Sequence, residues 1–330
     1  MKNAIVLAAG KGTRMHSDVP KVLHKVCGMP MAEVIVKVLK QAGTDRIVAV
    51  TGFGHALVEE ALAGQCEFAL QEPQLGTGHA VMQARQLAGE DGLTLVVNGD
   101  APCLKPETLN RLYDALADAD MAVLTVSLEQ PGAYGRIVRR ADGSLEKIVE
   151  FKDCTEEEKA IREVNAGFYA FRNRTLFDHL GELTDNNAQK EYYITDMVQI
   201  LLGHGLRVAA VESDDPDEVR GVNDNAELAK AEKILQRRIN TAWMKKGVTI
   251  TDPETAYIGP DVIIGKDVKI GPGVTLYGKT SIGDRTVIMP GCQLTDTAVG
   301  ADCTVNTSVI CGRTLADKTI IQPYTYLRNQ

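Results

Sequence analysis

The chain has 330 residues, enough for two domains that each bury a core. A net charge of −8 argues against a general nucleic-acid binder, which needs a basic face. Seven scattered cysteines, an odd count without a C-x-x-C pair, argue against a disulfide framework or a cysteine zinc site and suit a reducing cytoplasm.

Asn3-Ala4-Ile5-Val6-Leu7 is a short apolar run rich in branched residues and predicts a buried strand. Ala8-Ala9-Gly10-Lys11-Gly12-Thr13-Arg14-Met15 leaves it, Pro20-Lys21 comes shortly after, and a helical pattern follows. Small residues let backbone N–H groups close on a phosphate or a flat base. Arg14 as a rigid fork and Lys21 as a point charge are suited to a polyphosphate. The stretch is neither G-x-x-x-x-G-K-[ST] nor G-x-G-x-x-G, because Met15 stands at the third glycine. The apolar start is broken by Gly10 and Lys11 too early for a signal peptide, and no run is long enough to span a bilayer.

Helical spacing over 31–42 stops at Gly43, a C′ residue. Strands are predicted over 46–50, 67–70 and 93–97, and helices over 55–63, 78–87 and 106–117. This alternation predicts a mostly parallel sheet with helices on both faces and ligands outside the carboxyl ends of its strands. From Met121 the texture changes. Strands over 122–128, 164–171 and 206–211 accompany a hairpin of 136–138 and 145–150 around Ala141-Asp142-Gly143. Residues 224–246 form one long helical pattern that reads as a connector.

Beyond Gly247, aliphatic residues fall at Ile258, Ile264, Ile270, Leu276, Ile282, Ile288 and Leu294, with Gly after four of them. After a one-residue slip the pattern resumes at Val299 and Val305, then at Leu315, Ile321 and Leu327. A six-residue aliphatic repeat marks a left-handed parallel β-helix.

Polar motifs cluster at strand ends. In Gln71-Glu72-Pro73-Gln74-Leu75-Gly76-Thr77-Gly78-His79-Ala80, Gln71 offers the donor and acceptor a uracil edge needs. Thr77 also reads as a helix N-cap. Val97-Asn98-Gly99-Asp100 ends an apolar strand with a carboxylate able to hold Mg²⁺, with Asn223 of Gly221-Val222-Asn223 as a second oxygen donor or a residue preceding the helix. Glu150 and Asn165 can give the directional hydrogen bonds a sugar needs, or serve as satisfied surface residues. Glu191-Tyr192-Tyr193-Ile194-Thr195-Asp196 opens a helix.

The glycine loop resembles the signature of the sugar-nucleotide pyrophosphorylases. Loop, Q-x-x-Q-L-G-T-G-H-A, G-D, Y-G-R-I, I-V-E-x-K-D, N-x-G, N-N-A-Q-x-E-Y-Y-I-T-D, G-V-N and hexapeptides together resemble one of its families. That family is the bacterial bifunctional N-acetylglucosamine-1-phosphate uridyltransferase/glucosamine-1-phosphate acetyltransferases, and the likeness covers essentially the whole chain. It implies a Rossmann-like nucleotidyltransferase domain over 1–224 with a mixed, mostly parallel sheet, a connecting helix over 225–247, and an incomplete left-handed β-helix over 248–330. It implies that Leu7, Ala8, Ala9, Gly10, Gln71, Gly76 and Thr77 hold uridine, and that Asn98 and Gly99 lie along the nucleotide. Gly135, Glu150 and Asn165 would hold the N-acetylhexosamine, Asp100 and Asn223 would bind Mg²⁺, and Arg14 and Lys21 would face the phosphates. Asn98 departs from an aromatic common in the family, and Ala166 from a common Thr.

The implied reaction joins UTP and N-acetylglucosamine 1-phosphate into UDP-N-acetylglucosamine and pyrophosphate, in the cytoplasm, with a homotrimer formed through the β-helix. Arg14, Lys21 and Asp100 would carry the catalysis. The rival readings are a nucleotidyltransferase for another hexose 1-phosphate and a non-catalytic regulatory subunit. The family's β-helix runs on for more coils and carries the acetyl-transfer site there. Here the repeats end at Leu327-Arg328-Asn329-Gln330, where Arg328 matches a position contacting the amino sugar and Asn329 stands in place of Pro. The expectation is a short form without acetyl transfer.

Overall fold

Runs of branched apolar residues set the central strands of the first unit. In the computed structural model, which describes residues 1–328, they are β1 (Lys2–Ala8), β2 (Arg46–Thr51), β3 (Glu67–Leu70) and β4 (Leu93–Asn98). These four pair in parallel in the order β4-β1-β2-β3. Helices α1 (Met31–Gln41), α2 (His55–Ala61), α3 (Thr77–Gln83) and α4 (Pro106–Ala115) connect them or follow them. Along α1, Met31, Ile35, Val36 and Leu39 are wholly buried, as the helical spacing requires.

The other half of the sheet is mixed. It contains β5 (Met121–Ser127), the hairpin β6 (Arg136–Arg139) and β7 (Leu145–Val149), β8 (Glu163–Arg172) and β9 (Val208–Ser213). Strand β8 lies antiparallel between β4 and β5, β9 pairs in parallel with β5, and the hairpin adds to β8. Register between β8 and β5 shifts between Asn165 and Tyr169, a bulge where Gly167 takes φ 79°. Helices α5 (Asn173–His179) and α6 (Met197–Gly203) follow, and α7 (Asn225–Lys245) leads out.

Two elements differ from expectation. The helical pattern after the glycine loop becomes two single 3₁₀ turns, Thr13–Met15 and Lys21–Leu23, and α1 starts only at Met31. Gly12 at φ 63° and the prolines at 20 and 30 interrupt a continuous helix. The helix over 78–87 likewise breaks at Ala84, where ψ reaches 44°, into α3 and a 3₁₀ turn at Arg85–Leu87.

The chain divides into Met1–His24 with Pro30–Glu227, and Lys25–Met29 with the chain from Leu228 onward. The second unit is a left-handed parallel β-helix. Its two- and three-residue strands stack in three parallel sheets, of five, five and four strands. Ile270, Ile288 and Val305 share one sheet, Leu276, Leu294 and Ile310 the second, and Ile264, Ile282 and Val299 the third. All nine are buried. Stacked positions are 18 residues apart at first (Ile270↔Ile288) and 16 later (Val299↔Leu315), so coils shorten at their corners. Ile310, missed by counting in sixes, fills the inner place after that shortening. The glycines after the aliphatics are required by contact: a Cβ on Gly283 would lie 2.6 Å from Ala301 N, and one on Gly271 2.7 Å from Pro290 N. Asn329 lies outside the described residues. Among the described residues no helix is long and apolar enough to cross a membrane.

One buried polar knot ties β4 to α5. Asn173, wholly buried, donates Nδ2–H to the carbonyls of Leu87 (2.7 Å) and Glu90 (2.9 Å), and Thr94 Oγ1–H donates to Asn173 Oδ1 (2.5 Å). Asn173→Leu strands all three partners, and each buried unsatisfied group costs about 1–3 kcal/mol. The expected outcome is a loss of about 3 kcal/mol, read as a lower urea midpoint at unchanged m.

Candidate active site

The carboxyl ends of β1, β3 and β4 open onto one cleft, as expected where parallel strands diverge into different loops. Its first compartment is lined by Leu7, Ala8, Ala9 and Gly10 at the end of β1 and just past it, Gln71, Gly76 and Thr77 after β3, Asn98 and Asp100 at the end of β4 and just past it, and Lys21. Its second is lined by Gly135, Glu150 and Asn165 from the strand-rich half. Leu7, Thr77 and Asn98 line both compartments, which therefore adjoin. Gly99 sits behind this wall, its N–H donating to the Leu7 carbonyl at 3.0 Å.

Gly10 has open space on its Cβ side, so the backbone there is bare to the cleft. Gly76 and Gly78 have a different reason for being glycine. A Cβ on Gly76, at φ 104°, would lie 2.7 Å from the Tyr192 carbonyl, and one on Gly78 3.0 Å from it. That contact lets Tyr192 N–H donate to the Leu75 carbonyl (2.8 Å) and Gly78 N–H to the Tyr192 carbonyl (2.7 Å). Thr77 does not cap α3; its Oγ1 accepts from Ile194 N–H at 3.1 Å. The segment 191–196 is thereby pinned over the cleft. Gln71 is buried, and its amide donates to the Gly76 carbonyl (2.9 Å).

At the edge of the first compartment four segments bring charge together. Lys21 Nζ forms an ion pair with Asp100 Oδ2 and donates to Asn223 Oδ1 at 3.3 Å. Arg14 Nη2 donates to the same Asn223 oxygen at 2.9 Å. Asn223 is held by its own N–H on Glu227 Oε2 (2.7 Å), and Val222 N–H donates to the Asp100 carbonyl (2.9 Å). An ammonium thus stands where Asp100 and Asn223 converge. One carboxylate and one amide oxygen, already arranged about a cation, are a donor set that fits a hard divalent ion with water completing its shell.

The second compartment is quieter in charge and richer in directed hydrogen bonds. Asn165 Nδ2 donates to Tyr169 Oη (2.7 Å), and its Oδ1 accepts from Gly167 N–H (3.0 Å). Tyr169 is buried, and that burial raises its hydroxyl pKa. A Cβ on Gly167 would collide with the Asn98 side-chain amide, so this glycine makes room for Asn98. Ala166 lines the same compartment. The Glu150 carboxyl is raised above its ordinary range by burial, opposed by Thr195 Oγ1–H at 3.3 Å.

Several lining residues had no assigned role: Gln74 and Glu191 in the first compartment, Tyr134, Tyr169 and Thr195 in the second. Tyr169 stands four residues after Asn165 on one strand, which alternation could have flagged. The partnership of Thr195 with Glu150 spans 45 residues and has no local signal.

Burial of Glu150 makes the stability of the fold depend on pH. The folded protein holds this proton more tightly than the unfolded chain. The stabilisation from Glu150 is therefore fully present below its ordinary pKa of 4.5 and is lost as pH rises through the folded value. Glu150→Gln is expected to raise the thermal midpoint of the ligand-free protein at pH 7. The gap to wild type is expected to close below about pH 4.5.

Residues 4–194 match the family of MobA-like NTP transferase domains. The chain is 46% identical over 328 residues to the bifunctional protein GlmU of Halalkalibacterium halodurans, covering 98% of this chain and 72% of that relative. The bifunctional protein GlmU of Limosilactobacillus reuteri is 45% identical over 330 residues, covering 99% and 72%. A solved structure, a putative glucose-1-phosphate thymidylyltransferase from Bacillus anthracis, superposes at TM-score 0.57 and 22% identity, covering 70% of this chain and 94% of that one; it shows the fold alone. Nucleotidyltransferases of this type generally use a divalent metal, which the Asp100 and Asn223 oxygens suit. A domain match over most of the chain, with this identity along nearly all of it, shows that the protein belongs to the GlmU family and is a nucleotidyltransferase that makes UDP-N-acetylglucosamine.

Proposed function

We propose that UTP takes the first compartment and N-acetylglucosamine 1-phosphate the second, with the uridylyl group transferred at the charged edge of the first. The observation that carries this is the adjacency of the two compartments, which share Leu7, Thr77 and Asn98, with Lys21 and Asp100 lining the first. Leu7 to Gly10, with the backbone bare at Gly10, face the base and ribose, with Gln71, Gly76 and Thr77 opposite. Asn98 and Gly99 run along the nucleotide. Gly135, Glu150 and Asn165 hold the N-acetylhexosamine.

The sugar phosphate is already anionic, so its oxygen attacks the α-phosphorus in line without a general base. The new P–O bond forms as the bond from the α-phosphorus to the bridging oxygen breaks, and that electron pair leaves with pyrophosphate. Positioning and charge neutralisation supply the acceleration. Arg14 binds phosphate as a fork. Lys21, a flexible point charge, moves from Asp100 to the leaving oxygens. Asp100 and Asn223 hold Mg²⁺, which, when bound, neutralises phosphate oxygens as a Lewis acid. The dispersed free cysteines agree with a cytoplasmic setting. The β-helix is assigned as the trimerisation element, supported by its exposed Ile263, Ile320 and Tyr326.

The test is pyrophosphate release from UTP and Mg²⁺ with N-acetylglucosamine, glucosamine and glucose 1-phosphates in parallel. Turnover selective for the acetylated sugar is expected. Asp100→Ala is expected to abolish it, and Arg14→Ala to lower kcat about 10²–10³-fold, the usual effect of removing one donor to developing charge. Selectivity for glucose 1-phosphate overturns the sugar assignment. No release from a folded protein that binds UTP overturns the whole reading in favour of a regulatory subunit.

A further inference from the structure

Outside the cleft, two imidazoles and a carboxylate converge where α5 and α6 end. His179 Nδ1 lies 2.7 Å from Glu182 Oε1, and His204 Nε2 lies 2.9 Å from Glu182 Oε2. The imidazole rings are 4.3 Å apart between centroids. One ligand atom from each of the three residues falls within 4.8 Å of the others.

We propose that His179, Glu182 and His204 bind a borderline transition metal ion, Zn²⁺ or its analogues, and that the ion staples α5 to α6. Four-coordinate Zn²⁺ with bonds near 2.0–2.2 Å separates its ligand atoms by about 3.3 Å. The two N···O spacings, 2.7 and 2.9 Å, fall short of that value, so rotations of the three side chains are needed to complete the site. His179 is the last residue of α5, and Glu182 closes the 3₁₀ turn that follows it, with Leu176, Leu180 and Leu183 buried beneath. His204 is the C-cap of α6, its N–H donating to the carbonyls of Ile200 and Leu201 at 3.1 Å, and Leu201 is wholly buried.

Both histidines therefore sit at helix C-termini, where the helix dipole favours a cation. Side-chain exposures of 21% for His179 and 47% for His204 give an ion a way in and leave room for a water as fourth ligand. Two imidazole nitrogens with one carboxylate select Zn²⁺, Ni²⁺ or Cu²⁺ over Mg²⁺, whereas the oxygen pair of Asp100 and Asn223 has the opposite preference. The two sites are thus separated by chemistry as well as by sequence.

The test uses the full chain, stripped of metal and held in millimolar Mg²⁺ so that the oxygen donors are saturated. It is titrated with Zn²⁺ by calorimetry and with Co²⁺ by visible absorption. One equivalent is expected to bind with a micromolar Kd, with the intense Co²⁺ bands of a low-coordinate ion, and Zn²⁺ is expected to raise the thermal midpoint. His204→Ala and Glu182→Gln are each expected to weaken binding at least tenfold and to remove the thermal shift. His204→Gln serves as a second, bulkier replacement, and uridylyl transfer without Zn²⁺ is expected to stay within twofold of wild type. Retention of the same equivalent in these variants would assign it to thiols or to the cleft and overturn the proposal. So would failure of the wild type to bind Zn²⁺ more tightly than millimolar.

Discussion

Compensation of the Asp100 carboxylate is the constraint on which the cleft depends. The carboxylate lies just past the end of β4, four-fifths shielded, in a protein of net charge −8. Glu150 and Glu191 add acid to the same cleft. A polyphosphate brought into such surroundings is repelled unless cations are already in place. The fold supplies them by loop geometry. A Cβ on Gly12 would lie 2.6 Å from Lys21 Cβ, so the left-handed turn at Gly12 is what lets the Lys21 stem run back toward Asp100. Asn223 then gathers Lys21 and Arg14 on a single oxygen. In this cluster two cations face one carboxylate and share one amide oxygen, which leaves it with an excess of positive charge.

The second constraint is topological. A purely parallel sheet would present one row of strand ends and one crevice. Inserting β8 antiparallel between β4 and β5 brings the start of a strand, Asn165 to Gly167, to the edge where β4 finishes. The bulge there re-aims side chains that strict alternation would send to opposite faces. Asn98 at the end of β4 and Gly167 in β8 consequently abut. The two compartments thereby come to adjoin.

Periodicity made much of this legible. The span 67–70 coincides with β3, and the sixfold aliphatic count located the inner faces of the prism. Periodicity reports which face is buried and not who the partner is. It missed the break at Ala84 and the 3₁₀ turns after β1, because single residues with unusual backbone angles decide those. It also left the reasons for glycines ambiguous. Gly10 and Gly76 look alike in sequence, yet one faces open space and the other faces the Tyr192 carbonyl. Corner shortening in the prism hid Ile310 for the same reason: a repeat counts residues along the chain, whereas stacking depends on hydrogen bonds between coils. The cation cluster was reachable residue by residue, but its shared acceptor, Asn223 Oδ1, joins segments more than 200 residues apart.

The second compartment shows how a binding surface can be rigid and still have capacity left. Asn165 has two N–H donors and an oxygen with two lone pairs. Tyr169 takes one donor and Gly167 N–H one lone pair, which locks the amide orientation and leaves one donor and one acceptor available. Glu150, when ionised, accepts only, and Thr195 satisfies one of its oxygens. Its burial favours the neutral form in the empty cleft. A hydroxyl donating to this carboxylate would favour the ionised form instead. Desolvation that destabilises the empty cleft thereby sharpens its preference for a ligand with hydroxyl donors, because a ligand lacking them leaves a buried acceptor unpaired.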